Sequence, residues 1–181
     1  NCILSHFRGA DAQERACYEN LGEGVDLTQE ALRTTEPTPT LSMLPLRKGD
    51  FSTLAEALDY AARGETGCNF YSGGGKLCEA LPYRALRTEA RQLARRLKGL
   101  GCDRGERVAL VAETDADFIR FFFACQYAGL VPVPLPAAVR LGGHHAYVQQ
   151  LRKLLEICQA SVAVSPAAFL PFLKEAADGL P

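Results

Sequence analysis

The sequence has almost no net charge: 20 Lys and Arg stand against 21 Asp and Glu, a formal charge of -1 over 181 residues. Without an excess of either sign, no field over the whole chain gathers nucleic acid or an anionic membrane. There is no C-x-x-C pair among the 7 cysteines, and Cys125 and Cys158 fall inside helical apolar patterns, where a thiol acts as a small hydrophobe. No apolar run follows a basic start near the N-terminus, so a secretory leader is absent from the text. The odd cysteine count and the missing leader predict reduced thiols in a cytoplasmic protein. A membrane span of about 20 apolar residues is also lacking. The nearest candidate, Phe118 to Pro136, is interrupted by Arg120, Gln126 and three prolines, and is read as a core helix followed by a core strand.

The familiar chemical motifs are missing too. Ser72-Gly-Gly-Gly75 followed by Lys76 imitates a phosphate loop, but the positions that need Gly and Ser or Thr hold Phe70 and Leu77. Gly99 and Gly101 precede a strand instead of following one, so a dinucleotide fingerprint fails on order and on spacing. Neither Ser161 nor Ser165 sits in G-x-S-x-G. His144 and His145 are adjacent but have no third ligand close in sequence, and they are read as solvated residues at a helix entrance. Asp115 and Asp117 are read as first-turn acids opposing a helix dipole, not as an acid and base pair. The sequence therefore names no catalytic residue, no cofactor-binding residue and no metal ligand.

What is present is an ordinary globular composition, 48% hydrophobic and 23% charged. Residues 1 to 50 read as a poorly defined leader and linker, polar and weakly periodic, with a proline-stiffened connector at Glu36-Pro-Thr-Pro-Thr40. From residue 51 the text becomes organised. Ser52, with Glu56 nearby, is the expected cap of a short helix reaching to Gly64. Cys68 to Tyr71 and Lys76 to Glu79 flank the Gly-rich turn and predict a β-hairpin.

Leu86, Ala90, Leu93, Ala94, Leu97 and Leu100 share one face of a helix over 83–100, with Arg84, Arg87, Arg91, Arg95 and Lys98 on the others as a solvated row. Arg107 to Ala112 is a buried parallel strand, and a helix capped by Thr114 or Asp115 closes at Gly129. Leu130 to Pro136 is a second strand, whose prolines are expected to confine pairing to its first residues. A helix around Leu151 to Cys158, a strand at Ser161 to Val164 and a helix from Phe169 to Ala177 follow. This alternation predicts an α/β fold: part of a doubly wound, mostly parallel sheet with flanking helices, preceded by a hairpin.

Several of these segments together resemble a known group of enzymes: Phe51-Ser-Thr-Leu54, the hairpin into Leu81-Pro-Tyr83, Gln92 to Leu97, Gly105-Glu-Arg-Val-Ala-Leu110, and above all Asp117-Phe-Ile-Arg-Phe-Phe-Phe-Ala-Cys-Gln-Tyr-Ala-Gly-Leu-Val-Pro-Val-Pro134. An aromatic-rich helix ending in Ala-Gly, followed by a Val-Pro strand, is similar to the opening portion of the adenylate-forming superfamily, and within it to fatty acyl-AMP ligases and long-chain acyl-CoA synthetases. The resemblance implies that residues 51–181 form the first part of a large N-terminal subdomain, truncated at its C-terminus. It further implies an ATP- and Mg-dependent ligase that activates a fatty acid as acyl-AMP with release of pyrophosphate. The acyl group would pass to an acyl carrier protein thiol or to coenzyme A. The family's phosphate loop, nucleotide contacts and C-terminal lysine lie beyond this sequence, so the segment alone is expected to be inactive. The competing reading is a free-standing α/β ligand-binding or interaction module.

Overall fold

A computed structural model of the chain describes residues 2–6, 44–137 and 143–180. The Glu36–Thr40 connector expected from the sequence lies outside the described residues.

Helix α1 spans Leu54–Ala61 and is preceded by Thr53, whose hydroxyl accepts from the Glu56 backbone N–H at 3.1 Å. The cap is therefore Thr53 and not Ser52. Ser52 instead donates its backbone N–H to the Glu56 carboxylate at 3.0 Å, so the two side chains satisfy two amides of the helix entrance. The hairpin strands β2 (Gly67–Tyr71) and β3 (Leu77–Pro82) pair antiparallel, as the glycine-rich turn predicts. Gly67 is required there by closeness: a Cβ at that position would lie 2.3 Å from the Leu81 carbonyl oxygen.

Helix α2 (Tyr83–Gly99) buries Leu86, Ala90, Ala94 and Leu97, the stripe expected from the 3.6-residue period. Strand β4 (Arg107–Ala112) then enters the sheet, and α3 (Ala116–Ala128) returns over it. Asp115 caps α3, its Oδ1 accepting from the Phe118 N–H at 2.8 Å. Gly129 ends the helix at φ 71°, a left-handed conformation that any Cβ would strain. Strand β5 (Val131–Pro136), α4 (Gly143–Cys158), β6 (Val162–Pro166), a 3-10 turn (Ala167–Phe169) and α5 (Leu170–Ala177) complete the described chain.

The larger sheet has the order β1-β6-β4-β5, where β1 is Cys2–His6, with β4 parallel to both β5 and β6. Strand β1 pairs antiparallel with β6, a contribution that the polar leader did not announce. β5 corrects a second expectation. Its ladder with β4 runs from Arg107↔Val131 to Ala112↔Pro136 and does not stop after the first residues. Pro132, Pro134 and Pro136 share one parity, and β5 is an edge strand. Successive N–H groups of a strand point to opposite sides, so all three missing donors fall on the open edge, while Val131 still donates to the Glu106 carbonyl at 2.8 Å.

Alternation along β4 and β6 divides the core. Val108, Leu110, Val162 and Val164 pack against Leu97, Phe121, Ala124 and Cys125 of α2 and α3. Ala109 and Ala163 turn the other way, with Leu135 of β5, onto Leu151 and Leu155 of α4 and Leu173 of α5. Burying a leucine such as Leu97 or Leu151 contributes about 1.5–3 kcal/mol. A third cluster of Leu58, Leu81, Leu86 and Ala116 fastens α1 and the hairpin to the helices of the first face. The doubly wound α/β architecture predicted from the strand and helix alternation is the one observed.

Candidate functional site

The helices after β4 and β5 lie on opposite faces of the sheet, since α3 packs in one core and α4 in the other. Neighbouring strands whose connections diverge in this way leave a crevice at their carboxyl ends, the usual ligand position in open α/β sheets. A cavity of 470 Å³ lies there, lined by Ala112, Glu113, Thr114, Asp115 and Ala137. Read from the sequence alone, strands over Val108 to Val111 and Leu130 to Val133 make the turns after Ala112 and Val133 the ones that could approach such a crevice. The first is where expected. The second is displaced to Ala137, because β5 pairs through Pro136.

The crevice wall is stiffly held. Asp115 has one carboxylate oxygen committed to the α3 cap. On the far side the Tyr147 hydroxyl donates to the Pro136 carbonyl at 2.9 Å, which anchors α4 to the end of β5. Burial, then the nearby Glu113 charge, pushes the Tyr147 phenol up to about 12, so it stays a donor throughout the neutral range.

Among the described residues the lining presents two carboxylates, one hydroxyl and no cation, and no glycine-rich run of amides of the kind that cradles phosphates. These residues do not fit the triphosphate of ATP. Among the described residues no group of three or more His, Cys, Asp and Glu could hold a metal ion. Ser72–Gly75 forms the hairpin turn, with the Gly75 N–H bonded to the Ser72 carbonyl at 2.9 Å. His144 and His145 are exposed at the start of α4, and His144 Nε2 lies 2.5 Å from Glu175 Oε2 and against the Phe172 ring. The described residues of the crevice can therefore shape one wall of a binding cleft.

Sequence reasoning passed over Arg120, which reads as an interruption in an apolar stretch. Its side chain is only 19% exposed, and it bonds Glu79 of β3, Glu89 of α2 and Asp117 of its own helix. Burial opposes its charge, but the carboxylates of Glu79 and Glu89 outweigh that and raise the guanidinium above its ordinary value. The signal available in the sequence was a lone cation on an aromatic helix face, with Asp117 three residues before it.

Comparison with known proteins agrees with this geometry. The AMP-binding enzyme family matches residues 68–179. A Caulobacter vibrioides (strain NA1000 / CB15N) protein, whose name assigns it provisionally to the acyl-CoA synthetases, is 51% identical over 138 residues, covering 76% of this chain and 24% of its own length. A medium-chain-fatty-acid–[acyl-carrier-protein] ligase, JamA of Moorena producens (strain JHB), is 33% identical over 140 residues, 75% of this chain and 23% of that protein. A solved structure from work on fatty acyl-adenylate ligases of E. coli and L. pneumophila is similar at 41% identity with a TM-score of 0.70, over 76% of this chain and 25% of that one. The chain thus spans about a quarter of the length of the relatives it matches. With a family match running from the hairpin to the last helix, and a fold shared with a fatty acyl-adenylate ligase, the chain belongs to the AMP-binding enzyme family.

Proposed function

We propose that the chain is the opening scaffold of an ATP-dependent ligase that activates a fatty acid as acyl-AMP with release of pyrophosphate. The carrying observation is the family match over 68–179 together with the crevice at the carboxyl ends of β4 and β5, which is where the fold takes ligands. Residues 51–181 then form the first part of the larger subdomain, joined in its sheet by β1 from the preceding 50 residues. ATP and Mg are assigned to residues outside the segment, since among the described residues its crevice has no cation or amide nest to hold phosphates. The segment's own work is to fix the Glu113–Asp115 turn and the end of β5 rigidly enough for the rest of a cleft to assemble on them.

The relatives support a fatty acid as the substrate, with a carrier-protein thiol or coenzyme A as acceptor. An acceptor assay separates the two. The longer protein carrying this segment is given a medium or long fatty acid, ATP and Mg, with either a phosphopantetheinylated carrier protein or free coenzyme A. Acyl transfer mainly to the carrier protein is the expected result. Efficient acyl-CoA formation would move the assignment to the acyl-CoA synthetases, and no acyl product with either acceptor would contradict the ligase reading.

A further inference from the structure

The basic row of α2, expected from the sequence to be merely solvated, lines two adjoining grooves. One, of 470 Å³, is bounded by Arg91, Arg95, Lys98 and Tyr127; the other, of 330 Å³, by Arg63, Arg84 and Arg87; Asp59 lies in both. Of these cations only Arg87 is in an ion pair among the described residues, with Asp59, whose carboxylate also accepts from the Tyr127 hydroxyl at 2.8 Å. Arg63, Arg84, Arg91, Arg95 and Lys98 are exposed. The one acid of α2, Glu89, is engaged with Arg120. A chain whose formal charge is -1 therefore gathers five cations without a carboxylate partner along one face. From Arg84 to Lys98 the row extends about 20 Å at the rise of an α-helix.

The larger of the two grooves lies away from the crevice. α3 leaves the carboxyl end of β4 and returns to the amino end of β5, and Tyr127 and Ala128, which line the larger groove, are at its last turn. The larger groove is thus separated from the crevice by about 20 Å, the length of α3, and is not a wall of the cleft. Its chemistry favours a protein over a nucleic acid. No stack of open aromatic rings accompanies the arginines, the Tyr127 ring has the Arg91 guanidinium 6.0 Å from its centroid, and Asp59 breaks the positive floor where a continuous phosphate backbone would have to run. Carboxylates spaced at 3 and 4 residues on a helix can meet Arg84, Arg91, Arg95 and Lys98 one by one and step over Asp59.

We propose that the groove along α2 is a docking surface for an acidic helix of a separate protein partner. The inference does not depend on the ligase reading. The probe is a labelled helical peptide of about five turns with Glu at i, i+4, i+7 and i+11, titrated with the chain by fluorescence anisotropy at low and at high salt. Binding at low salt, weakened by salt, is expected. Arg91→Glu/Arg95→Glu should weaken it by about tenfold or more, whereas Lys153→Glu/Lys174→Glu, on α4 and α5, should leave it unchanged. If the charge reversal disturbs folding, Arg91→Gln/Arg95→Gln decides the matter: neither residue is in an ion pair among the described residues, so its melting temperature should stay close to the parent's while peptide binding falls. Absence of peptide binding, or equal losses in the Lys153/Lys174 variant, would overturn the proposal. Arg91- and Arg95-dependent binding of a duplex oligonucleotide tighter than that of the peptide would overturn it in favour of nucleic acid.

Discussion

Replacing Arg120 by Met should be among the most damaging single changes outside the apolar core. The guanidinium is four-fifths covered, and its partners Glu79, Glu89 and Asp117 have side chains 40%, 40% and 29% exposed. A fully exposed pair is worth about 0.2–1 kcal/mol, and removing one partner of a fully buried pair costs about 3–5 kcal/mol. Three half-covered contacts that share one cation lie between those limits, at about 2–3 kcal/mol after allowance for non-additivity. The loss includes repulsion among three carboxylates left together, and it falls on the contact that holds the hairpin and α2 to α3. In a domain of this size the midpoint of thermal unfolding should drop by about 5–10 °C.

Urea denaturation of Arg120→Met and Arg120→Lys against the parent is the assay. Lys keeps the charge but not the planar fork, so it should recover only part of the loss. Adding Glu79→Gln to Arg120→Met should cost less than the two changes made separately, because the carboxylate is a liability once the cation is gone. The folded-state value of Arg120 is raised, so its contribution is fully present below the ordinary guanidinium value and is lost only above it, beyond any working pH. An Arg120→Met protein within 0.5 kcal/mol of the parent would refute this account of the cluster.

Other expectations follow from single contacts. Asp115→Ala removes the α3 cap and should cost about 1 kcal/mol by urea denaturation, with Asp115→Ser restoring most of it. Ser165 is fully buried and its hydroxyl has no hydrogen-bond partner among the described residues, so Ser165→Ala should be neutral or raise stability by about 1 kcal/mol; a loss of that size would show that the hydroxyl is bonded. Burial, reinforced by Cys102, pushes the Cys125 thiol up to about 12 from 9.0, and burial with Asp59 pushes Tyr127 up to about 12 from 10.0. Groups raised on folding contribute fully below their unfolded values and lose that contribution as pH climbs to the folded ones. Stability should therefore fall progressively between about pH 9 and 12. In urea melts across that range, the decline should be shallower in Cys125→Ala, which no longer carries the buried Cys125 thiol.

Much of this fold was legible because its signals are local. Gly129 had to end a helix, the Ser72–Gly75 turn had to join two strands, and the stripe from Leu86 to Leu97 had one periodicity available to it. The failures came where the outcome depended on a distant neighbour. The prolines of β5 argue against pairing until the strand is known to be an edge, after which their common parity makes them harmless. Arg120 is an anomaly within its own helix and becomes intelligible only when Glu79 and Glu89, from 41 and 31 residues away, arrive beside it. Strand β1 has no strong alternation of its own and gains its place from β6. Of the two turns that topology offers for a crevice, the cavity adjoins the one after Ala112, while β5 continues three residues past Val133.

The central claim is that this segment is scaffold for an adenylating ligase and contributes no catalytic group, and fatty-acid-dependent exchange of labelled pyrophosphate into ATP tests it most directly. The chain of 181 residues and the longer protein that carries it would be assayed side by side with a medium or long fatty acid, ATP and Mg. Exchange by the longer protein and none by the chain is the predicted result. Exchange by the chain alone would contradict the claim that the phosphate-handling residues lie elsewhere, and no exchange by the longer protein with any fatty acid would contradict the ligase itself.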